Sequence, residues 1–528
     1  METSLSALPE ELIVRISDQV SVDSLVHFAL ACRITYRCAK PRLVANQHYE
    51  EQEQMAQHDR LPLTVPCLLR KIFNEPDASF HWHSLDVWGN RPGWQEWTTW
   101  PFFPYVYLGS DVLDSDEGRE MRGPDWPDPA EDHSHLDSSF FTPAELDFYA
   151  YCMRSKLFLD PDQTQEWMSK VREGWDEPLK ALLVALSPGL RRLNYIAELM
   201  EFRIEHPLGF LTEAISCIYH APNAIWPPGF MALRRVSVGT ASNIRHASDG
   251  FSTAPSEVAP LLLLPSIKVL NLTALKDEDP VSDFHLPSSS SSVEALTFRF
   301  CEMGSEAHEK LLLAPRGLRR LRCIDSAGFT RSLTGQLAQQ YARTLEVLIV
   351  YGQDSTVDNT CLKEFENLAF LDGVESSSLA TCATHSSASS EPLCGCASID
   401  LRSILPLSLQ QLTIRDSSLK NIQKGAQECL LRDAAAELAE DERFERLREL
   451  CFWNVDLGGE CDEAVMRIKS RGISLRQNGR EGGEILEDDY LERRKAALGN
   501  YAELETDPIC KDGYLDDLQG INQVGVHA

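Results

Sequence analysis

A six-residue pattern, apolar-x-x-apolar-x-apolar, recurs ten times and constrains what this chain can fold into more than any other feature. It runs through Trp82-Leu85-Val87, Leu190-Leu193-Tyr195, Leu233-Val236-Val238, Ile267-Leu270-Leu272 and Val293-Leu296-Phe298. It continues through Leu318-Leu321-Cys323, Leu345-Leu348-Val350, Phe365-Leu368-Phe370, Leu409-Leu412-Ile414 and Leu447-Leu450-Phe452. The final apolar-x-apolar step has the period of a strand, with alternate side chains on opposite faces. One such strand cannot bury its apolar side alone, but stacked copies build a continuous core. An array of this kind lengthens without thickening, which suits 528 residues, too many for one compact globule. From Leu190 onward successive starts lie 20 to 44 residues apart, so the wider intervals carry insertions. Helical periodicity falls between the strands, over 178–186, 208–219, 331–341 and 419–442. Strands separated by helices predict a parallel sheet.

The first forty residues read differently. Leu8-Pro9-Glu10-Glu11 opens a helix: Pro at the first helical position loses no needed N–H, and acids suit the positive first turn. Leu12, Ile13 and Ile16 share a face; Ser21 can cap a second helix bearing Leu25, Phe28, Ala29 and Cys32, and Pro41 stops a third. Three short amphipathic helices are too little to stand alone, so an apolar face docks on something.

Leu8, Pro9, Glu11, Leu12, Ile16, Leu25, Leu30, Cys32, Arg33 and Tyr36 fall in the order and spacing of the F-box. The segment resembles that family, with Tyr36 where a tryptophan is common and Asp23-Ser24-Leu25 as the middle acidic-Leu element. With leucine-rich repeats behind it, the chain is similar to the fungal F-box/leucine-rich-repeat class, as is the segment Leu85-Asp86-Val87-Trp88-Gly89. The resemblance implies a three-helix module over 1–45, a connecting segment over 46–66, and an irregular solenoid over 67–476. In that fold parallel strands line the concave face, with helices and loops outside. It also implies a substrate receptor of an SCF-type cullin ubiquitin ligase, with Leu8, Pro9, Leu12, Ile16, Leu25 and Tyr36 buried against the adaptor subunit. A helical cap on a repeat scaffold without any ligase is the other reading of the same residues.

Segments interrupt the array. An acidic stretch near 110–140 and a Ser/Ala/Thr-rich stretch near 376–396 lack any core-forming pattern, and 477–528 is an acidic tail with helical spacing over 488–498. Fifty Lys and Arg face eighty Asp and Glu, a formal charge of -30, which argues against nucleic acid and anionic membrane as partners. Met1-Glu2-Thr3-Ser4-Leu5 has no cationic leader pattern, and fifteen cysteines show no framework spacing. The expectation is an intracellular protein, of cytoplasm or nucleus, with reduced thiols.

Within each pattern the third, fifth and seventh positions point away from the core. Read so, the concave face carries Arg192, Arg235, Arg299, Arg320, Arg322 and Arg415 against only Asp86 and Glu449, inverting the sign of the chain. Trp88, Ile324, Tyr351 and Trp453 share it, and Arg, Tyr and Trp are common interface anchors. Guanidinium forks suit an acidic or phosphorylated protein ligand, and equally the acidic loops of the chain itself. Trp82, Trp88, Trp94, Trp97 and Trp100 form an aromatic cluster that packs the end of the array or, alternatively, presents a binding platform. His81/His83, His133/His135 and Cys394/Cys396 lack partners at ligand spacing, so no metal or other cofactor is expected. No nucleophile elbow, phosphate loop or zinc-protease motif occurs; the expectation is a binding protein, not an enzyme.

Overall fold

A computed structural model describes residues 8–20, 28–29, 32–40, 63–88, 90–97, 136–197, 208–222, 224–240, 253–277, 284–324, 326–351, 357–375, 399–415, 424–453 and 463–478. The fold is α/β and solenoid-like: eleven strands, all parallel, follow one another in the sheet as in the sequence. The chain divides into two compact units, one of residues 1–103, 107–193 and 221–233, the other of 104–106, 194–220 and 234–528. Of the expected N-terminal module, α1 (Glu10–Gln19) and helical residues 33–40 are described. Leu25, most of the acidic stretch near 110–140, the Ser-rich stretch and the tail beyond 478 lie outside the described residues.

The first unit also holds α2 (Thr64–Asn74), β1 (Ser84–Trp88), α3 (Pro143–Lys156), α4 (Pro161–Glu173), α5 (Glu177–Leu186) and the start of β2 (Arg192–Ala197). Two of its helices, α3 and α4, begin at capping boxes that the sequence supplies. Thr142 Oγ1 accepts from Glu145 N–H at 3.2 Å while Glu145 Oε2 accepts from Thr142 N–H at 2.8 Å; Asp160 and Gln163 repeat the arrangement at α4. The buried Glu145 carboxylate also receives Arg70 Nε at 2.5 Å, tying α2 to α3. Burial pushes the Glu145 carboxyl up, but the Arg70 and Thr142 hydrogen bonds outweigh it and hold it below the usual range. A buried ionic group lies at the start of α5. Asp176 accepts from Arg91 N–H at 2.8 Å and Arg91 Nη1 at 3.1 Å, and pairs with Lys180 Nζ at 2.8 Å.

The tryptophans here pack. Trp94 Nε1 donates to Arg172 O at 2.7 Å and Trp97 Nε1 to Gly174 O at 2.5 Å, and both rings lie against Phe141. Gly174 makes this approach possible. Its φ is +92°, and a Cβ there would stand 2.3 Å from Trp94 N. The Trp88 and Trp100 side chains are outside the described residues.

The second unit contains the rest of β2, α6 (Gly209–His220), β3 (Arg235–Thr240), β4 (Val269–Thr273), β5 (Ala295–Arg299), α7 (Ser305–Leu313), β6 (Arg320–Ile324), α8 (Arg331–Tyr341), β7 (Val347–Tyr351), β8 (Phe370–Glu375), β9 (Gln411–Arg415), α9 (Lys424–Glu440), β10 (Glu449–Trp453), α10 (Glu463–Ser470) and β11 (Ser474–Asn478). One hydrogen-bond device repeats at the head of the strands. The carbonyl before each strand accepts two amides of the next repeat: Lys268 and Val269 on Arg234 O, Glu294 and Ala295 on Lys268 O, Arg319 and Arg320 on Glu294 O. The same device continues through Arg319 O, Glu346 O, Ala369 O and Gln410 O. With register held this way, the leucine triads stack in one layer and are buried throughout. Tyr341 of α8 donates to the Leu312 and Pro315 carbonyls at 2.7 and 2.8 Å, joining successive repeats on the helix side.

Two differences from the pattern reading concern the repeats themselves. The eighth repeat is framed three residues later than Phe365-Leu368-Phe370: Val347 pairs with Phe370 and Leu348 with Leu371, so Leu368, Leu371 and Val374 occupy the core positions. Phe365 is buried after a 3-10 turn over Asn359–Glu364, not in a strand. An eleventh strand, β11, carries only Leu475 of the triad and was invisible to the pattern.

Two outcomes are expected. Asp176→Ala removes the shared anion from two buried cations and lowers the urea-unfolding free energy by about 3–5 kcal/mol. His308 of α7 is fully buried against Phe298, and burial pushes its imidazole from 6.5 down to about 4. The folded state prefers neutral imidazole, so this contribution is whole above pH 6.5 and is lost as pH falls toward 4. From pH 8 to pH 5 the loss is roughly 2 kcal/mol. Urea titrations at both pH values, compared with His308→Leu, isolate that difference, which the variant abolishes.

Candidate functional site

Two surfaces gather the residues singled out in the sequence. The first is on the N-terminal helices. In α1, Ile13 and Ser17 point inward and are buried, while Leu12 and Ile16, four residues apart, share the outer side with Leu8 just ahead. Leu8, Leu12 and Ile16 are 37%, 45% and 37% exposed, and Tyr36 is 50% exposed. Pro9 is exposed as well. Residues 33–40 are anchored at their start by Thr35, whose Oγ1 accepts from Cys32 N–H at 2.9 Å and donates to Cys32 O at 2.8 Å. The outer side of α1 is thus apolar and accessible.

The second surface is the sheet face opposite the leucine layer. In the second unit its rows follow from the pairing. One row runs Ser237, Asn271, Thr297, Arg322, Ile349, Asp372, Thr413, Cys451, Arg476. A second contains Arg235, Val269, Ala295, Arg320, Val347, Phe370, Gln411 and Glu449 in the same way. Arg299, Ile324, Tyr351, Glu375, Arg415 and Trp453 follow at the strand ends. Pairing thus places Arg235, Arg299, Arg320, Arg322 and Arg415 on one face. Arg192 belongs to the first unit, partly exposed on β2, and the side chains of Tyr351 and Trp453 are outside the described residues.

The sequence reading placed Glu449 on this face but missed Asp372. Asp372 is completely buried on it and holds Arg415 bidentately, Nε to Oδ1 at 3.0 Å and Nη2 to Oδ2 at 3.3 Å. Glu449 pairs with Arg476 at 3.0 Å; burial pushes its carboxyl up and the arginine pulls it partly back. Asp372 was misassigned because Gly373 is a bulge, with register shifting between Asp372 and Val374, which stretches the core triad to Leu368-Leu371-Val374. The usable signal was Asp372-Gly373, a turn-forming pair inside an apolar run. At φ +96° Gly373 brings its backbone so close that a Cβ would stand 1.6 Å from Val350 O.

Nor is the face a bare polar surface. Ile324, Val347, Ile349 and Phe370 form an apolar cluster of their own, none more than 6% exposed. Cys451 lies in the central row; burial first, then the charges of Asp372 and Glu449, push its thiol up to about 12, so it is not a thiolate nucleophile. Arg235, Arg299, Arg320 and Arg322 each engage a hydrogen-bonding, ring or electrostatic partner. In the first unit, His83 Nδ1 donates to Gly189 O at 3.0 Å. Among the described residues no three His, Cys, Asp or Glu side chains gather as a metal site, and no helix is long and apolar enough to cross a membrane.

No family model matches the chain, and no curated protein matches it either.

The bulge gives a sharp test of backbone geometry. Gly373→Ala meets both a left-handed φ and the Val350 carbonyl, whereas Gly472→Ala at φ +74° meets nothing within 4 Å. Gly472→Ala is expected to cost about 1–2 kcal/mol, and Gly373→Ala more than about 3 kcal/mol. Chemical denaturation of the two variants side by side checks the ranking.

Proposed function

We propose that this chain is the substrate-recognition subunit of an SCF-type cullin ubiquitin ligase, a non-catalytic receptor. Its N-terminal helices dock on the adaptor, and through it a cullin, while the repeat array holds a protein substrate. The observation that carries the reading is the exposed apolar stripe of Leu8, Leu12 and Ile16 with Tyr36, at positions where an F-box contributes its adaptor contacts. A helix whose second face is apolar and solvent-facing gains by burying it on a partner. The parallel repeat array behind it offers a long surface and supplies proximity, not acid–base groups.

Co-purification with the adaptor subunit tests this. Wild type is expected to retain the adaptor, and Leu8→Ala/Pro9→Ala/Leu12→Ala to lose it, since truncated anchors cost about 2 kcal/mol or more each. The three side chains are exposed, so the melting temperature of the variant should stay near that of wild type. A wild-type chain that fails to bind the adaptor points instead to a repeat scaffold with no ligase association.

A further inference from the structure

We draw no further inference here: the strongest candidate, the apolar cluster of Ile324, Val347, Ile349 and Phe370 on the outward sheet face of the second unit, carries nothing because nothing among the described residues shows what covers it.

Discussion

The second unit depends on how each strand is tied at its first residue. One carbonyl accepts two successive amides from the next repeat, seven times in succession from Arg234 to Gln410. Side-chain direction in a strand has a period of two, so a slip of one residue would turn every leucine of a triad to the wrong face. The double bond forbids that slip at the one place where each chain segment enters the sheet. It also aligns the residues that provide the carbonyls into a column, so Lys268 meets Glu294 at 2.5 Å and Arg319 Nε meets Glu346 at 2.8 Å. These pairs are largely solvent-facing and contribute little individually. They are a consequence of the register, not its cause.

Much of this was readable because the physics is local. The apolar triads over β3 to β7, β9 and β10 are strands with the facing assigned from spacing alone, and α8 occupies Arg331–Tyr341 as its periodicity predicts. Two features resisted for physical reasons. A bulge adds a residue without changing composition, so Phe365-Leu368-Phe370 matched the spacing better than the true Leu368-Leu371-Val374. β11 buries little, because a strand with a neighbour on one side needs only part of the triad, and Leu475 alone leaves no periodic trace. The outward-facing N-terminal stripe was legible as helix spacing, yet Leu12 and Ile16 were indistinguishable from Ile13 until burial separated them.

The bulge links the misread repeat to the face. It inserts Gly373 between Asp372 and Val374, leaving Asp372 in the central row while Glu375 still aligns with Arg415. A carboxylate buried to that extent is costly unless a cation and further hydrogen bonds offset the lost hydration. Arg415 supplies the cation with both guanidinium arms. The pair consumes the arginine that composition alone would have assigned to a ligand. What distinguishes this face is therefore less its raw count of arginines than which of them the chain's own acids have taken.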